Sequence, residues 1–427
     1  MINVLEFSYG IKEKVKQVNE LDIILTHGDA DGLVGGSLYV ATNELFRGIT
    51  DSNRPYIVLS SLAATSEETD KMIERAADFI FGKSLTYKLP SLPDVIRLII
   101  IDRPSPSLEM LKTIQTISLQ TSPLLDKRYL VCEIYDHHES NVEHHKEVMV
   151  FLEMSPGKRY LNSTPDFCGT RHVWNYMKDM LTEGREYYLD SHRRRGNYEY
   201  VLNQLDKLID GTDDLVRTTN NWDTFLWTDL DAEDEREEAV AIQAADKLLG
   251  AQLFWNKVRD RLDDFLKGEI KDVWETLRDD VWLCHDIFNN KLNNEYIRAS
   301  YQIKPENIIP IKEYNCALLS ADPEYQSMLS HQLFLNYDGT IINKPKLDVI
   351  IYINATGSIS IRSRKDIPVK SNELAGIISK TFGYGGGGHP SAAGGRVMAF
   401  EDHYKVLKDM VKRGVDNYVY GVQIWSL

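Results

Sequence analysis

No run of about 20 apolar residues occurs anywhere along the chain, which excludes a helical membrane span. The first residues, Met1-Ile2-Asn3-Val4-Leu5-Glu6, hold no basic stretch followed by an apolar core, so a secretory leader is not expected. Cysteine is scarce. Cys132, Cys168, Cys284 and Cys316 have neither metal-type spacing nor the density of a disulfide framework. They read as reduced, buried thiols, and a cytoplasmic location is expected. Positive charge is also short: 49 Lys and Arg stand against 64 Asp and Glu, a formal net charge of −15. That balance opposes electrostatic capture of long nucleic acid, whose affinity comes from Lys and Arg on phosphates. It does not oppose a short anionic substrate, because bound divalent cations reverse the local sign. No internal repeat is present.

What is there is organised in three stretches. Residues 1–215 alternate apolar, strand-like runs with helical segments, the pattern of an α/β domain with a mostly parallel sheet. Residues 84–95, rich in Ser, Pro and Leu, read as a loop. Residues 216–315 read as a helical connector or insertion. Its apolar positions, from Leu249 through Leu253, Val258, Leu262, Phe265, Val273 and Leu277 to Val281, recur at helical spacing. The acidic run 229–238 before them reads as a solvated helix start. Residues 316–427 form a smaller α/β domain. It begins with the strands Leu347–Ile353 and Ser358–Ser363 and a helix near 371–382.

Three apolar runs of the first domain end in chemistry. Ile23-Ile24-Leu25 leads to Thr26-His27-Gly28-Asp29-Ala30-Asp31-Gly32. Ile99-Ile100-Ile101 leads to Asp102, and Tyr129–Tyr135 leads to Asp136-His137-His138. Side groups at the carboxyl ends of parallel strands share one crevice, the usual ligand site of an open α/β sheet. Imidazole and carboxylate together suit Mn²⁺, Zn²⁺ or Fe²⁺ better than Ca²⁺. So many carboxylates are too negative to assemble without cations. Two metal ions sharing one carboxylate, Asp102, would meet that need. A further carboxylate is expected from the segment 205–214, where Asp206, Asp210, Asp213 and Asp214 stay open. His144 and His145 read as exposed helix residues. Arg193-Arg194-Arg195 reads as a solvated basic turn, and Thr170 as a helix cap or a site hydroxyl.

The last domain carries Gly385-Gly386-Gly387-Gly388-His389-Pro390, followed by Ala392-Ala393-Gly394-Gly395. Consecutive glycines allow backbone N–H groups to approach an anion closely. His389 and Arg362 can add charge to a phosphate.

In this order the motifs resemble the DHH phosphoesterase family, in the branch with a C-terminal DHHA1 domain. His27-Gly-Asp29-Ala-Asp31-Gly32, Asp102, Asp136-His137-His138 and the glycine-rich stretch carry the resemblance, across residues 23–396. The family includes enzymes that degrade short oligonucleotides, cyclic-dinucleotide phosphodiesterases, phosphoadenosine-phosphate phosphatases and RecJ-type single-strand exonucleases, most of them working with Mn²⁺. The resemblance implies one metal on His27, Asp29 and Asp102. It places a second on Asp31, Asp102, His137 and a fourth-motif carboxylate at Asp213, with Asp210 in reserve. It gives His138 to the scissile phosphate or leaving oxygen and Asp136 to orienting a histidine. Arg362, Gly387, Gly388 and His389 would hold the far phosphate across a cleft between the two domains.

The expected activity is Mn²⁺-dependent hydrolysis of short oligonucleotides or linear or cyclic dinucleotides to mononucleotides, by two-metal activation of water. The rivals are a RecJ-like single-strand exonuclease, a nucleotide phosphomonoesterase and a non-catalytic binding scaffold. A homodimer is left open.

Overall fold

The structure, a computed structural model, describes residues 3–5, 20–47, 56–81, 95–120, 129–153, 159–162, 164, 167–190, 195–339, 345–398 and 404–420. The chain divides into two compact units, Met1–His285 and Asp286–Leu427. Most of the expected loop at 84–95, with Arg193 and Arg194, lies outside the described residues.

The first unit opens with β1 (Asn3–Leu5), β2 (Glu20–His27) and α1 (Ala30–Arg47). Then β3 (Tyr56–Ser61), α2 (Ser66–Phe81), β4 (Val95–Ile101), α3 (Leu108–Gln120), β5 (Tyr129–Tyr135), α4 (Val142–Glu153) and β6 (Arg159–Asn162) alternate. Helices follow: α5 (Gly169–Asp190), α6 (Arg195–Gly211), α7 (Asp213–Asp223), α8 (Glu233–Lys267) and α9 (Val273–Ser300), the last ending in the second unit. The strand order is β1-β3-β2-β4-β5-β6, parallel except for the β1–β3 pair.

The inner strands β2, β4 and β5 are mostly apolar because both faces are covered. Along β4, Leu98 and Ile100 point into a core shared with α2, α3 and α4. Ile99 and Ile101 point into the opposite core, with α1 and α5 to α9. The helices read as a connector therefore share this unit's core as far as Cys284, with Phe254, Trp255 and Trp274 among its buried side chains. The apolar stripe of α8 faces α1, and Arg259 clamps the pair through Ser37 O (3.2 Å) and Glu44 (2.8 Å).

Two features of this sheet position a site. The chain runs from β2 outward to β3 and then crosses back to β4, so the order reverses between β2 and β4 and a crevice opens there. The register also sets Thr26, Ile101 and Tyr135 side by side, so the residues that follow them emerge level with one another.

The second unit contains β7 (Ile308–Ile311), β8 (Tyr314–Leu319), α10 (Gln326–Asn336), β9 (Val349–Ile353), β10 (Ser358–Ser363), α11 (Ser371–Thr381), β11 (Gly387–Gly388), β12 (Ala392–Arg396) and α12 (Tyr404–Tyr420). Its sheet, in the order β11-β12-β10-β9-β8-β7, is antiparallel except for β8–β9. Ile351, Ile359 and Ile361 pack under α11 and α12. Tyr352, on the opposite face, hydrogen-bonds Ser330 of α10 at 2.8 Å. No helix among the described residues is long and apolar enough to cross a membrane.

Candidate active site

The ends of β2, β4 and β5 bring His27, Asp29, Asp31, Asp102, Asp136, His137 and His138 together. His27 Nδ1 lies 2.8 Å from Asp29 Oδ2 and 3.3 Å from Asp102 Oδ2. Its Nε2 faces the carbonyl of Leu62 at 3.2 Å and donates to it, since a carbonyl can only accept. In the neutral ring this leaves the Nδ1 lone pair facing two carboxylates, an arrangement that calls for a cation.

Asp102 spans two clusters. Its Oδ2 faces His27, and its Oδ1 lies 3.3 Å from His137 Nε2. The backbone here is left-handed (φ 55°), a conformation that Asp tolerates better than most residues and that occurs preferentially at functional positions. The following turn is locked in place. Arg103, fully buried, donates to Thr69 Oγ1 (3.1 Å), Thr26 O (3.0 Å) and Ala63 O (3.2 Å). Burial lowers its pKa to about 10, against the pull of Asp102.

Asp31 meets the N-terminus of α5, where the backbone N–H groups of Gly169 (2.8 Å) and Thr170 (2.7 Å) donate to its two oxygens. The Thr170 hydroxyl donates to the Asp31 carbonyl at 2.6 Å. Position 169 requires glycine. A Cβ there would stand 2.9 Å from the Cβ of Asp102 and 3.1 Å from Asp31 Oδ2. Burial, then the nearby charges of Asp102 and Asp223, push the Asp31 carboxyl well above its ordinary range.

Asp213 and Asp210, expected to supply a further carboxylate, are not brought into this group. Asp213, with its side chain 51% exposed, lies 3.7 Å from Arg171. Asp210 is exposed on α6. At the opposite end of α7 from Asp213, Asp223 Oδ2 approaches His137 Nε2 to 2.8 Å. Asp223 shares the buried face of α7 with Leu215 and Thr219, at intervals of one turn.

Asp31, Asp102, His137 and Asp223 thus form one group of potential ligands, and His27, Asp29 and Asp102 a second, each with its ligand atoms within 4.8 Å of one another. Asp102 Oδ1 and Asp223 Oδ2 are buried and close to His137, yet neither makes a hydrogen bond of acceptable geometry. Oxygens that converge on a common point without bonding one another suit a shared cation. Both donor sets fit a hard-to-borderline divalent metal. In the metal-free chain, burial opposes the charged imidazoles. Asp29 and Asp102 outweigh it at His27, Asp223 and Asp102 outweigh it at His137, and both pKa values stand well above 6.5.

Asp136 belongs to a different shell. Its Oδ1 accepts from His138 Nδ1 at 2.8 Å, and its Oδ2 accepts from Asn141 at 2.8 Å and His145 at 2.7 Å. With these bonds made, both oxygens of Asp136 face hydrogen-bond donors. Burial opposes its charge, but the bonds from His138 and His145 hold its carboxyl well below the usual range. His138 is held at a pKa of about 9; burial lowers it, and Asp136 more than compensates. His145, expected on an exposed face, is fully buried. It shares the apolar stripe of α4 with Val148 and Leu152, at the spacing that identifies a core position. Half-buried His144 faces Ser105 O and Pro106 O at 3.1 and 3.0 Å.

Asp246 and Lys247 of α8 complete the surroundings, paired at 2.9 Å. Burial raises the Asp246 carboxyl to about 6, against Lys247. Lys247 in turn helps His27 to hold Asp29 low against burial.

In the second unit, Arg362 donates to Ser360 Oγ (2.8 Å), Ile361 O (3.0 Å) and Ser327 Oγ (3.2 Å). These acceptors are neutral, and no carboxylate pairs with the guanidinium among the described residues. Gly387 and Gly388 pair with Gly394 and Ala393 of β12. Gly388 takes φ 137°, where a side chain would be strained. His389 N donates to Ala392 O at 2.8 Å, closing the turn.

Residues 334–415 match the DHHA1 domain. No curated protein matches the sequence. Among solved structures, exonuclease RecJ bound to manganese is 14% identical, covering 96% of this chain and 93% of its own, with a TM-score of 0.45. RecJ in complex with Mn²⁺ from Thermus thermophilus is 13% identical over 96% of this chain and 54% of its own, with a TM-score of 0.47. An uncharacterized protein from Helicobacter pylori is 15% identical over 93% and 100%, with a TM-score of 0.35.

Proposed function

We propose that this chain, which joins a strand-end site of carboxylates and imidazoles to a DHHA1 domain, is a DHH-family phosphoesterase, a Mn²⁺-dependent phosphodiesterase that cleaves short oligonucleotides or dinucleotides to mononucleotides. The observation that carries the proposal is Asp102, with one oxygen turned to His27 and the other to His137. A carboxylate so placed is suited to bridge two cations.

One ion would be held by His27, Asp29 and Asp102, the other by Asp31, Asp102, His137 and Asp223. Bound there, the pair would polarise the phosphoryl group and make water acidic enough to attack at neutral pH. The chain's own groups do the rest. Asp136 fixes the His138 ring through Nδ1, so proton exchange with a substrate oxygen falls to Nε2. In the metal-free chain Asp136 raises His138 to a pKa of about 9 against burial, which favours the protonated ring that a donor to a leaving oxygen needs. Arg362, a guanidinium without a carboxylate partner among the described residues, suits a substrate phosphate, and so do Gly387, Gly388 and His389 of the glycine-rich turn in the same sheet. The full set of ligand types speaks against a silent scaffold. The acidic composition favours small substrates over long single strands.

The test is a product assay with Mn²⁺ on two-to-five-nucleotide RNAs, a cyclic dinucleotide, a 3′-phosphorylated nucleotide and a long single-stranded DNA, with His137→Ala as control. Mononucleotides from the short substrates, with the long DNA left intact, are expected. Processive degradation of the long DNA would assign a RecJ-like exonuclease instead. Inorganic phosphate as the sole product would assign a monoesterase.

A further inference from the structure

Behind His138 and Asp136 lie two buried groups, Ser105 and His145, that the phosphodiesterase reading does not use. Ser105 Oγ lies 2.6 Å from His145 Nδ1, His145 Nε2 lies 2.7 Å from Asp136 Oδ2, and Asp136 Oδ1 lies 2.8 Å from His138 Nδ1. Ser105, His145 and Asp136 are each 0% exposed. The residue types are those of a hydrolytic triad, but complete burial bars a substrate from the hydroxyl. A nucleophilic role is therefore excluded, and the line must act on something it touches.

Proton positions follow from the partners. The Asp136 carboxylate can only accept, so His145 Nε2 carries a proton. A neutral His145 ring then accepts at Nδ1 from the Ser105 hydroxyl. Asp136, with donors at both oxygens, is held as an anion in one orientation, and its remaining strong contact is His138. The same elements tie two strand ends together. Ser105 lies in the turn after Asp102, and His145 and Asn141 sit beside the end of β5. His144 grips the same turn through the carbonyls of Ser105 and Pro106.

We infer that Ser105 and His145 form a positioning relay, Ser105–His145–Asp136–His138, that fixes the ring orientation and proton placement of His138 for its work on the substrate. His145 is a positioning residue: it acts through Asp136 and touches no substrate. Outer partners of this kind commonly change activity by roughly 10- to 100-fold when removed.

The test has two arms. The kinetic arm rests on the phosphodiesterase reading and measures kcat and KM with a dinucleotide and Mn²⁺ for wild type, His145→Ala, His145→Gln, His138→Ala and the His138→Ala/His145→Ala double variant. His145→Ala should lower kcat by roughly 10- to 100-fold with KM little changed. His145→Gln, which keeps a donor toward Asp136, should recover most of the loss. Adding His145→Ala to His138→Ala should cost nothing further, because the two residues act as one unit. Additive losses, or no recovery with Gln, would assign His145 to packing alone and overturn the relay. The second arm needs no activity. In the proton NMR spectrum of metal-free wild type, hydrogen-bonded imidazole N–H signals from His138 and His145 should lie far downfield. His138→Ala should remove one signal. His145→Gln should keep the His138 signal, and Ser105→Ala or His145→Ala should broaden or remove it. A His138 signal untouched by His145→Ala would overturn the relay even if the wild type proved inactive on every phosphodiester.

Discussion

Replacing Asp223 separates the site seen in the structure from the one that spacing suggests. The comparison pairs Asp223→Asn with Asp213→Asn, two changes of equal chemistry at opposite ends of one helix. Asp223 Oδ2 stands 2.8 Å from His137 Nε2. At an effective dielectric of about 20, unit charges at that distance attract by about 6 kcal/mol. Desolvation offsets part of this, and breaking one side of a buried pair typically costs about 3–5 kcal/mol. A divalent ion between these groups carries more charge than the imidazolium proton it displaces, so its hold on Asp223 is no weaker. Asp223→Asn should therefore weaken the second metal by ~100-fold or more, the equivalent of about 3 kcal/mol. Asp213, half exposed and 3.7 Å from Arg171, should change it by less than about threefold, as surface ion pairs do. Isothermal titration of the metal-free protein with Mn²⁺ reads both constants, and metal content after gel filtration checks the stoichiometry. Two tight ions in Asp223→Asn, or an equal loss in Asp213→Asn, would refute the placement of the fourth ligand.

Stability should also depend on pH through Asp246. Its folded pKa of about 6 lies above the ordinary 3.8, so between those values the folded chain binds more protons than the unfolded one, and stability falls as pH rises through that window. The penalty at pH 7 is on the order of 1–3 kcal/mol. Asp246→Asn should recover much of it at pH 7 and nothing at pH 4, as measured by urea titration; an equal gain at both pH values would contradict the sign. Chelation should lower the melting temperature, since an ion at 100 times its Kd stabilises by about 2.7 kcal/mol. A melting curve unmoved by EDTA and by added Mn²⁺ would argue against a resident metal. Arg362→Lys keeps the charge but loses the planar fork, so KM for a dinucleotide should rise by roughly tenfold or more with kcat nearly unchanged. A fall in kcat alone would place Arg362 nearer the chemistry.

The parts of the site that stand at strand ends were legible in the sequence. An apolar run that stops at His27, Asp102 or Asp136 announces both the strand and the position of its end, and parallel pairing brings such ends together. The pattern at Ser358–Ser363 announced β10 in the same way. Helical contributions were harder to read. Asp213 precedes Asp223 in a segment crowded with carboxylates, and spacing does not tell which helix end faces the crevice. The usable signal was the one-turn interval Leu215, Thr219, Asp223, which puts Asp223 on the buried face. His145 was hidden by its polar neighbours, although the interval to Val148 and Leu152 marked it as a core position. The middle helices carry an amphipathic pattern that shows a buried face but not its partner. For α8 that partner is α1, reached by contacts such as Trp255 against Gly36, where a Cβ would come within 3.0 Å of the indole.

The charge state of the metal-free site connects these observations to metal uptake. Five carboxylates, Asp29, Asp31, Asp102, Asp136 and Asp223, converge in one crevice. Asp136 is satisfied by two imidazoles and an amide, and it stays anionic without help from a cation. Protons offset much of the charge of the others. Burial and neighbouring charge drive one onto Asp31, and the carboxylates around His27 and His137 hold others on those rings. Those protons occupy the lone pairs that a cation would need. A divalent ion can bind only by displacing them, so uptake releases protons, and affinity must climb as pH rises. Two separate clusters would each lose their protons independently. Here Asp102 belongs to both, so filling one cluster removes negative charge that raises the pKa values in the other and eases the release of its protons. That shared carboxylate makes the two sites a coupled pair, in which the first ion changes the terms on which the second binds.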